Sequence, residues 1–374
     1  MAKGPALLTA QLSQLARRPG RFFSGLALAW RTKRPGLRGG IFQLVYFVEA
    51  VVLAQQMIKR NVEHLHNHFA DSSCTVAMLA SELSGVPYSF TLHGSAIFFE
   101  AHTWQLGTKV ERASFCVGIS HFTRSQAAIF ADADALDRVH IVHCGVEPDR
   151  LSPVSHHGPG TSMLFVGRVV EAKGLAVLFE AMQGLTATRP DLTLTIVGDG
   201  PDRAGLERKA STMGLAEHVT FVGSKSQTEV AELLSAAEVF VLPSYAEGVP
   251  VVVMEALGTG VPVVASFVGG MAEIVEDGVN GFLVPPGDSI QLSDRIGQLL
   301  DDAELRASMG AAGRAKVVKE FDSSVEASRL RTLIVNYGSG LPVGVRPKPQ
   351  VELERGSAAL PASSVHDDRR EDHP

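Results

Sequence analysis

Cysteine is scarce in this chain of 374 residues: Cys74, Cys116 and Cys144 are odd in number and show no Cys-x-x-Cys spacing. Neither a disulfide framework nor a zinc knuckle is indicated, and a reducing cytoplasm is the expected location. Long hydrophobic runs are also missing. The longest, Ile41 to Ala54, is broken by Gln43 and Glu49 and falls short of the ~20 residues that cross a bilayer. The sequence therefore predicts no transmembrane helix. Met1 to Ala10 lacks the charged start, apolar core and small-residue cleavage site of a signal peptide. Basic residues are outnumbered by acids, 34 to 40, and the net charge of -6 argues against nucleic acid as the main ligand. Acids, however, are almost absent from the first 50 residues, where Lys3, Arg17, Arg18, Arg21, Arg31, Lys33, Arg34 and Arg38 face only Glu49. Two readings stay open there: peripheral contact with anionic membrane on the inner face, or solvated helix faces.

What is present is an ordinary turn-rich composition, 45% hydrophobic and 20% charged with 36 glycines, as in soluble α/β proteins. At ~150 residues per domain the length suggests two domains and a remainder. Apolar residues recurring from Ile41 to Met57 at spacings of three and four predict an amphipathic helix over 41–60. Short β-type runs then alternate with helical stretches through Val142, a pattern that reads as a parallel sheet covered by helices. Ser152 to Gly160, rich in proline, glycine and histidine, breaks the pattern, and a second α/β series follows from Met163. The expected organisation is a first α/β domain over 1–151, a linker over 152–160, a second α/β domain over 161–337 and a disordered tail over 338–374. No strand and glycine-rich turn precede Ile41, so the first domain reads as truncated at its start.

Two clusters carry chemistry. In Phe165-Val-Gly-Arg-Val-Val-Glu-Ala-Lys-Gly174 a strand ends at Gly167, and Arg168 and Lys173 flank a short loop leading into a helix. Two cations beside a helix N-terminus suit a diphosphate, although a salt-bridged surface turn would look the same. In Pro243-Ser-Tyr-Ala-Glu-Gly-Val-Pro250 and its continuation, Glu247 precedes a helix entered through Pro250, with Glu255 expected about two turns along. Proline in a first turn leaves the amides of Gly248 and Val249 free. A carboxylate at Glu255, in so apolar a helix, needs a partner or a ligand.

Together with Ile196-Val-Gly-Asp-Gly-Pro201 and Gly269-Gly-Met-Ala-Glu-Ile-Val-Glu-Asp-Gly-Val-Asn-Gly-Phe-Leu-Val-Pro-Pro-Gly287, these clusters resemble the retaining glycosyltransferases of family 4, which have the GT-B fold. The resemblance covers about Val62 to Tyr337 and implies two Rossmann-like domains whose parallel sheets face each other across a cleft. It implies a nucleotide-diphosphate sugar as co-substrate, with no other cofactor and no metal. Gly167, Arg168 and Lys173 would hold the donor diphosphate, Glu247 would meet the donor sugar as a catalytic group, Glu255 the ribose, and Gly248 and Val249 would offer amides.

Glu63-His-Leu-His-Asn-His-Phe-Ala-Asp71 and Tyr88-Ser-Phe-Thr-Leu-His-Gly-Ser95 look like the acceptor domain of the branch that builds exopolysaccharides, similar to colanic-acid glycosyltransferases. The resemblance sets His93 over the anomeric carbon as a catalytic residue, and His66, His68, Ser120 and Arg124 on the acceptor side. The implied partner is a glycan or a lipid-linked acceptor. His64, His66 and His68 alternate on one strand face, so a zinc site is a weaker alternative. Asp132-Ala-Asp134 has the spacing of a metal-binding pair but reads as a helix cap. Two other functions remain open: a non-catalytic nucleotide-binding fragment, and a nucleotide-sugar epimerase of the same fold. A dehydrogenase fails on spacing, because Arg203 stands where a third glycine would follow Gly198 and Gly200.

Overall fold

The computed structural model describes residues 4–94, 96–153 and 160–339. Of the expected linker, 154–159 lie outside the described residues, as do 340–374 of the expected tail; 338 and 339 are the last residues of a helix.

Where no strand was found before Ile41, two helices form, α1 (Gly4–Arg17) and α2 (Pro19–Arg31), followed by α3 (Gly36–Lys59). Then come β1 (Leu65–His68), α4 (Ser72–Ser84), β2 (Tyr88–Leu92), α5 (Ala96–Phe99), α6 (Leu106–Arg112), β3 (Phe115–Gly118), α7 (His121–Phe130) and β4 (Val139–Ile141). The four strands are parallel, in the order β1-β2-β3-β4. Strands β2 and β3 are buried along their whole length, whereas β1 pairs among the described residues with β2 alone and is half exposed.

At 24 residues α3 is longer than expected, and by length and composition it could cross a membrane. In the fold it acts as a packed helix. Gly39, Gln43, Phe47, Ala50, Ala54 and Met57 form a buried stripe, and the helix lies against α4. The buried Gln43 amide is satisfied by the Thr32 hydroxyl at 3.1 Å. Its other face, with Leu37, Ile41, Leu44 and Val45, is exposed.

The second series comprises β5 (Ser162–Val166), α8 (Leu175–Thr186), β6 (Thr193–Val197), α9 (Arg203–Thr212), β7 (Val219–Gly223), α10 (Gln227–Ala236) and β8 (Val239–Leu242). It continues through α11 (Val251–Thr259), β9 (Val263–Ser266), α12 (Met271–Ile274), β10 (Gly281–Val284), α13 (Ser289–Asp301) and α14 (Ala303–Glu320). These six strands are also parallel, in the order β10-β9-β8-β5-β6-β7. The core is dense around Leu164, Phe165, Phe179 and Phe240. Chain order reverses between β5 and β8, and open α/β sheets bind ligands beyond the strand ends at such a switch point. Both donor clusters lie there, since one follows β5 and the other follows β8.

The last helix, α15 (Ser323–Ser339), returns to the first sheet. Leu333 shares a small core with Phe115, Val117 and Val142, and Tyr337 stacks on Phe115 at 4.8 Å. The sequence division at 151–161 assigned this helix to the second domain.

Candidate functional site

The loops beyond β5 and β8 are drawn together by one ion pair. Lys173 donates from Nζ to Glu247 Oε1 at 2.5 Å, and Ser244 donates its hydroxyl to the same oxygen at 2.7 Å. Glu247 is buried, while its Oε2 has no partner among the described residues. Arg168 is exposed and forms no ion pair among the described residues. The site therefore offers a carboxylate oxygen fixed by a lysine and a hydroxyl, with a second cation open to an anion.

Tight backbone packing sets these positions. The Gly167 amide donates to Val197 O at 2.9 Å, so the loop after β5 is bound to the loop after β6. Gly269 has φ +55, and a Cβ there would stand 1.9 Å from the Glu247 carbonyl; only glycine fits. At Gly248 a Cβ would meet the Gly94 Cα at 2.8 Å, which makes Gly248 the point where the donor loop touches the loop after β2. The amides of Gly248 and Val249 donate to nothing among the described residues. Pro250 takes the N-cap position of α11, so Glu255 lies little more than one turn into the helix instead of two. Glu255 is half-buried; burial raises its carboxyl pKa, and the nearby Gln227 side chain pulls the other way.

Beyond Gly94 stands a histidine cluster at the ends of β1 and β2. His68 Nδ1 lies 2.8 Å from His93 Nε2, and Cys144 Sγ lies 3.6 Å from His93 Nδ1. Burial first, then the neighbouring His68, pulls the His93 ring down to about 4, so it is neutral near pH 7. Burial likewise pushes the Cys144 thiol up to about 11, with Glu326 adding to it. Phe69, with its ring centroid 5.0 Å from that of His93, holds the left-handed φ of +69. A non-glycine residue there stores strain at the site.

Three of the expected acceptor-side residues are engaged elsewhere. His66 uses both ring nitrogens inside the sheet, on Ser89 Oγ at 2.7 Å and Thr91 Oγ1 at 2.9 Å. Ser120 is fully buried, and its hydroxyl caps α7 by accepting from the Thr123 amide at 3.0 Å. Arg124 is a turn further along and donates from Nε to Val139 O at 3.0 Å, bracing β4. These bonds tie the three side chains into the fold. Asp132 takes the N-cap position of a short 3-10 turn over Ala133–Arg138, without a side-chain bond. No group of three or more His, Cys, Asp or Glu that could hold a metal occurs among the described residues.

Two contributors were not singled out from sequence. Glu273 reaches from α12 to the N-terminus of α7, where its carboxylate accepts from the His121 and Phe122 amides at 2.8 and 3.0 Å. Such a carboxylate meets the positive end of the helix; the Gly-Gly-Met-Ala-Glu273 motif was the available signal. Lys109 is buried, donating to Ala70 O at 2.7 Å and Asp71 O at 2.8 Å, and so fixes the loop beyond β1. Burial lowers its pKa to about 8 despite Cys74 and Asp71.

Comparison with known proteins identifies the family. The family model "Glycosyl transferases group 1" matches residues 154–316. A phosphatidyl-myo-inositol mannosyltransferase of Mycobacterium leprae is 31% identical over 279 residues, 72% of each chain. The amylovoran biosynthesis glycosyltransferase AmsK of Erwinia amylovora is 32% identical over 207 residues, 53% of this chain and 51% of its own. Among solved structures, Anabaena HepE in complex with UDP shares the fold at TM-score 0.68 and 22% identity, over 77% of this chain and 82% of its own. Two parallel α/β sheets, donor loops at the switch point and relatives matched across most of the chain make this protein a member of the group 1 glycosyl transferases, with the GT-B fold.

Proposed function

We propose that this protein transfers a sugar from a nucleotide-diphosphate sugar to a glycan or lipid-linked acceptor, with retention at the anomeric carbon and without a metal, in building an exopolysaccharide. The observation that carries the reading is the Lys173–Glu247 pair, with Arg168 free beside it, at the switch point and against Gly94. When the bond from the anomeric carbon to the diphosphate breaks, negative charge gathers on the diphosphate. Arg168 and Lys173 would neutralise it, and the free Glu247 oxygen would accept a donor hydroxyl. His93, kept neutral by burial, would hydrogen-bond a sugar without adding charge by exchanging its His68 contact for a sugar hydroxyl. The names of the Erwinia relative, an amylovoran enzyme, and of the Mycobacterium relative, which acts on a phosphatidyl-inositol, support a polysaccharide product and a lipid-linked acceptor respectively.

The test has two steps. UDP, GDP and ADP are screened for thermal stabilisation, since a ligand that binds the folded state raises its melting temperature. The sugar of the nucleotide that binds is then supplied with a lipid-linked acceptor in the presence of EDTA, and the product is read by NMR. The expected product keeps the donor's anomeric configuration. An inverted product, or full dependence on metal, overturns the corresponding part. Nucleotide binding without turnover would favour the non-catalytic reading, and an isomerised sugar released without acceptor would favour the epimerase.

A further inference from the structure

Ten of the twenty-one exposed large hydrophobic side chains among the described residues fall within the first 45 positions. They are not scattered. On α2, Phe23, Leu26 and Trp30 recur at three- and four-residue spacing, opposite the buried Gly25, Leu28 and Ala29. On α3, Leu37, Ile41 and Leu44 do the same, opposite the stripe that meets α4. Trp30 is 70% exposed and Leu37 83%. Helices with one face in a core and a second apolar face in water mark an interaction surface.

The charges around that surface identify its occupant. Arg17, Arg31, Lys33 and Arg38 form no ion pair among the described residues, and Lys33 lies 5.0 Å over the Trp30 ring. The single acid of the first 50 residues, Glu49, sits toward the far end of α3. We propose that the outward faces of α2 and α3 dock on an anionic lipid bilayer, with Trp30, Leu37 and Ile41 entering the headgroup boundary and Arg31, Lys33 and Arg38 meeting lipid phosphates. An apolar face rimmed by cations, with an amphipathic aromatic at its edge, is the chemistry of helices that lie in the bilayer interface. A second copy of this chain fits less well, because a two-fold contact would set these cations against their own copies. Crossing the bilayer fits less well too, because the inner face of α3 is bound to α4 and carries Gln43.

The surface adjoins the site. Arg34, in the corner between α2 and α3, lies 3.5 Å over the Trp104 ring and 3.8 Å from Glu100 Oε2. That segment leaves β2 just after His93. Docking would therefore set the acceptor side of the cleft at the lipid surface, a consequence that rests on the transferase reading, whereas the docking does not.

The chain has two tryptophans, so Trp104→Phe in the full-length protein leaves Trp30 as sole reporter. It is mixed with vesicles of phosphatidylcholine alone or with phosphatidylglycerol, some carrying brominated acyl chains. The expected result is a blue shift and quenching of Trp30 with phosphatidylglycerol vesicles. Co-sedimentation of the unmodified protein with the same vesicles should fall ~10-fold or more on Leu37→Gln with Ile41→Gln, and part of the binding should survive high salt that screens charge alone. Unshifted Trp30 emission together with equal sedimentation of the unmodified and Leu37→Gln/Ile41→Gln proteins would overturn the proposal. So would a dimeric mass with Trp30 already shifted before lipid is added, which would assign the surface to a second copy. Neither readout involves sugar transfer, so failure here leaves the transferase reading standing, and the reverse holds.

Discussion

The loops that end the two sheets are held by different means. Beyond β5, β6 and β8 close backbone packing, Gly167 on Val197 and Gly269 under the Glu247 carbonyl, surrounds one ion pair, Lys173 to Glu247. Beyond β1 and β2 the backbone bond from Phe69 to the Thr91 carbonyl is joined by more side-chain contacts: His68 on His93, and Lys109 on the carbonyls of Ala70 and Asp71. Close backbone contacts admit no added atom, so the loops of the second sheet are sterically intolerant. Side-chain contacts with buried histidines and a buried lysine respond to pH, so the acceptor side is adjustable. On the proposed reading, this division would suit a site that holds a diphosphate on one side and an acceptor on the other.

The largest expected effect tests the donor side. Lys173→Ala, or Glu247→Gln, should lower transfer at saturating donor by ~10²-fold or more, with the melting temperature changing far less. A variant of either kind with undiminished transfer would remove the basis of the contrast.

Next comes steric intolerance. Gly269→Ala places a Cβ against the Glu247 carbonyl at a left-handed φ, and strain of this kind costs about 1–3 kcal/mol. Urea unfolding should show it as a lower midpoint. An alanine at Gly205, where a Cβ meets nothing within 4 Å, serves as the control and should leave the midpoint unchanged or raised.

Acidification addresses the other side. His66 and His93 are each pulled down to about 4 from the usual 6.5, in both cases chiefly by burial. Between those values the unfolded chain binds protons that the folded chain does not, so stability should fall as pH drops from about 6.5 toward 4. Both rings remain partly exposed, which reduces the effect. Melting curves across this range, compared with those of His66→Gln, should show a shallower slope in the variant; equal slopes would mean that the sheet histidine is not the source.

The smallest effect tests the link between the halves. Glu273→Gln keeps the side-chain shape at the α7 N-terminus but loses the charge and one of the two acceptor oxygens, at a cost of about 1 kcal/mol. A larger loss, or a fall in transfer with stability intact, would show that Glu273 does more than cap a helix.

Legibility in the sequence followed the same division. The donor clusters are local: Arg168 and Lys173 share one loop, and Glu247, Gly248 and Val249 another, so spacing was enough to single them out. β10 was missed because Gly281–Val284 is a four-residue run entering a Pro-Pro turn, too short to show a period. Over the first 50 residues helix faces were considered without bounds, so α1 and α2 were not delimited. On the acceptor side, residues share a site only through the sheet, and type and position alone did not separate His68, at the strand end, from His66, bonded within the sheet.

Sequence alone determined the class of fold and set Arg168 and Lys173 in one loop, because alternating apolar runs dictate parallel α/β layers and neighbours in a short loop are fixed by spacing. Only the tertiary structure decided that Lys173 clasps Glu247, that Gly248 meets Gly94, that Ser120 is a cap, and that α2 and α3 turn an apolar face to water. Each of these depends on which distant backbones come within a few ångströms, and that is set by the packing of whole elements and not by any local run of residues.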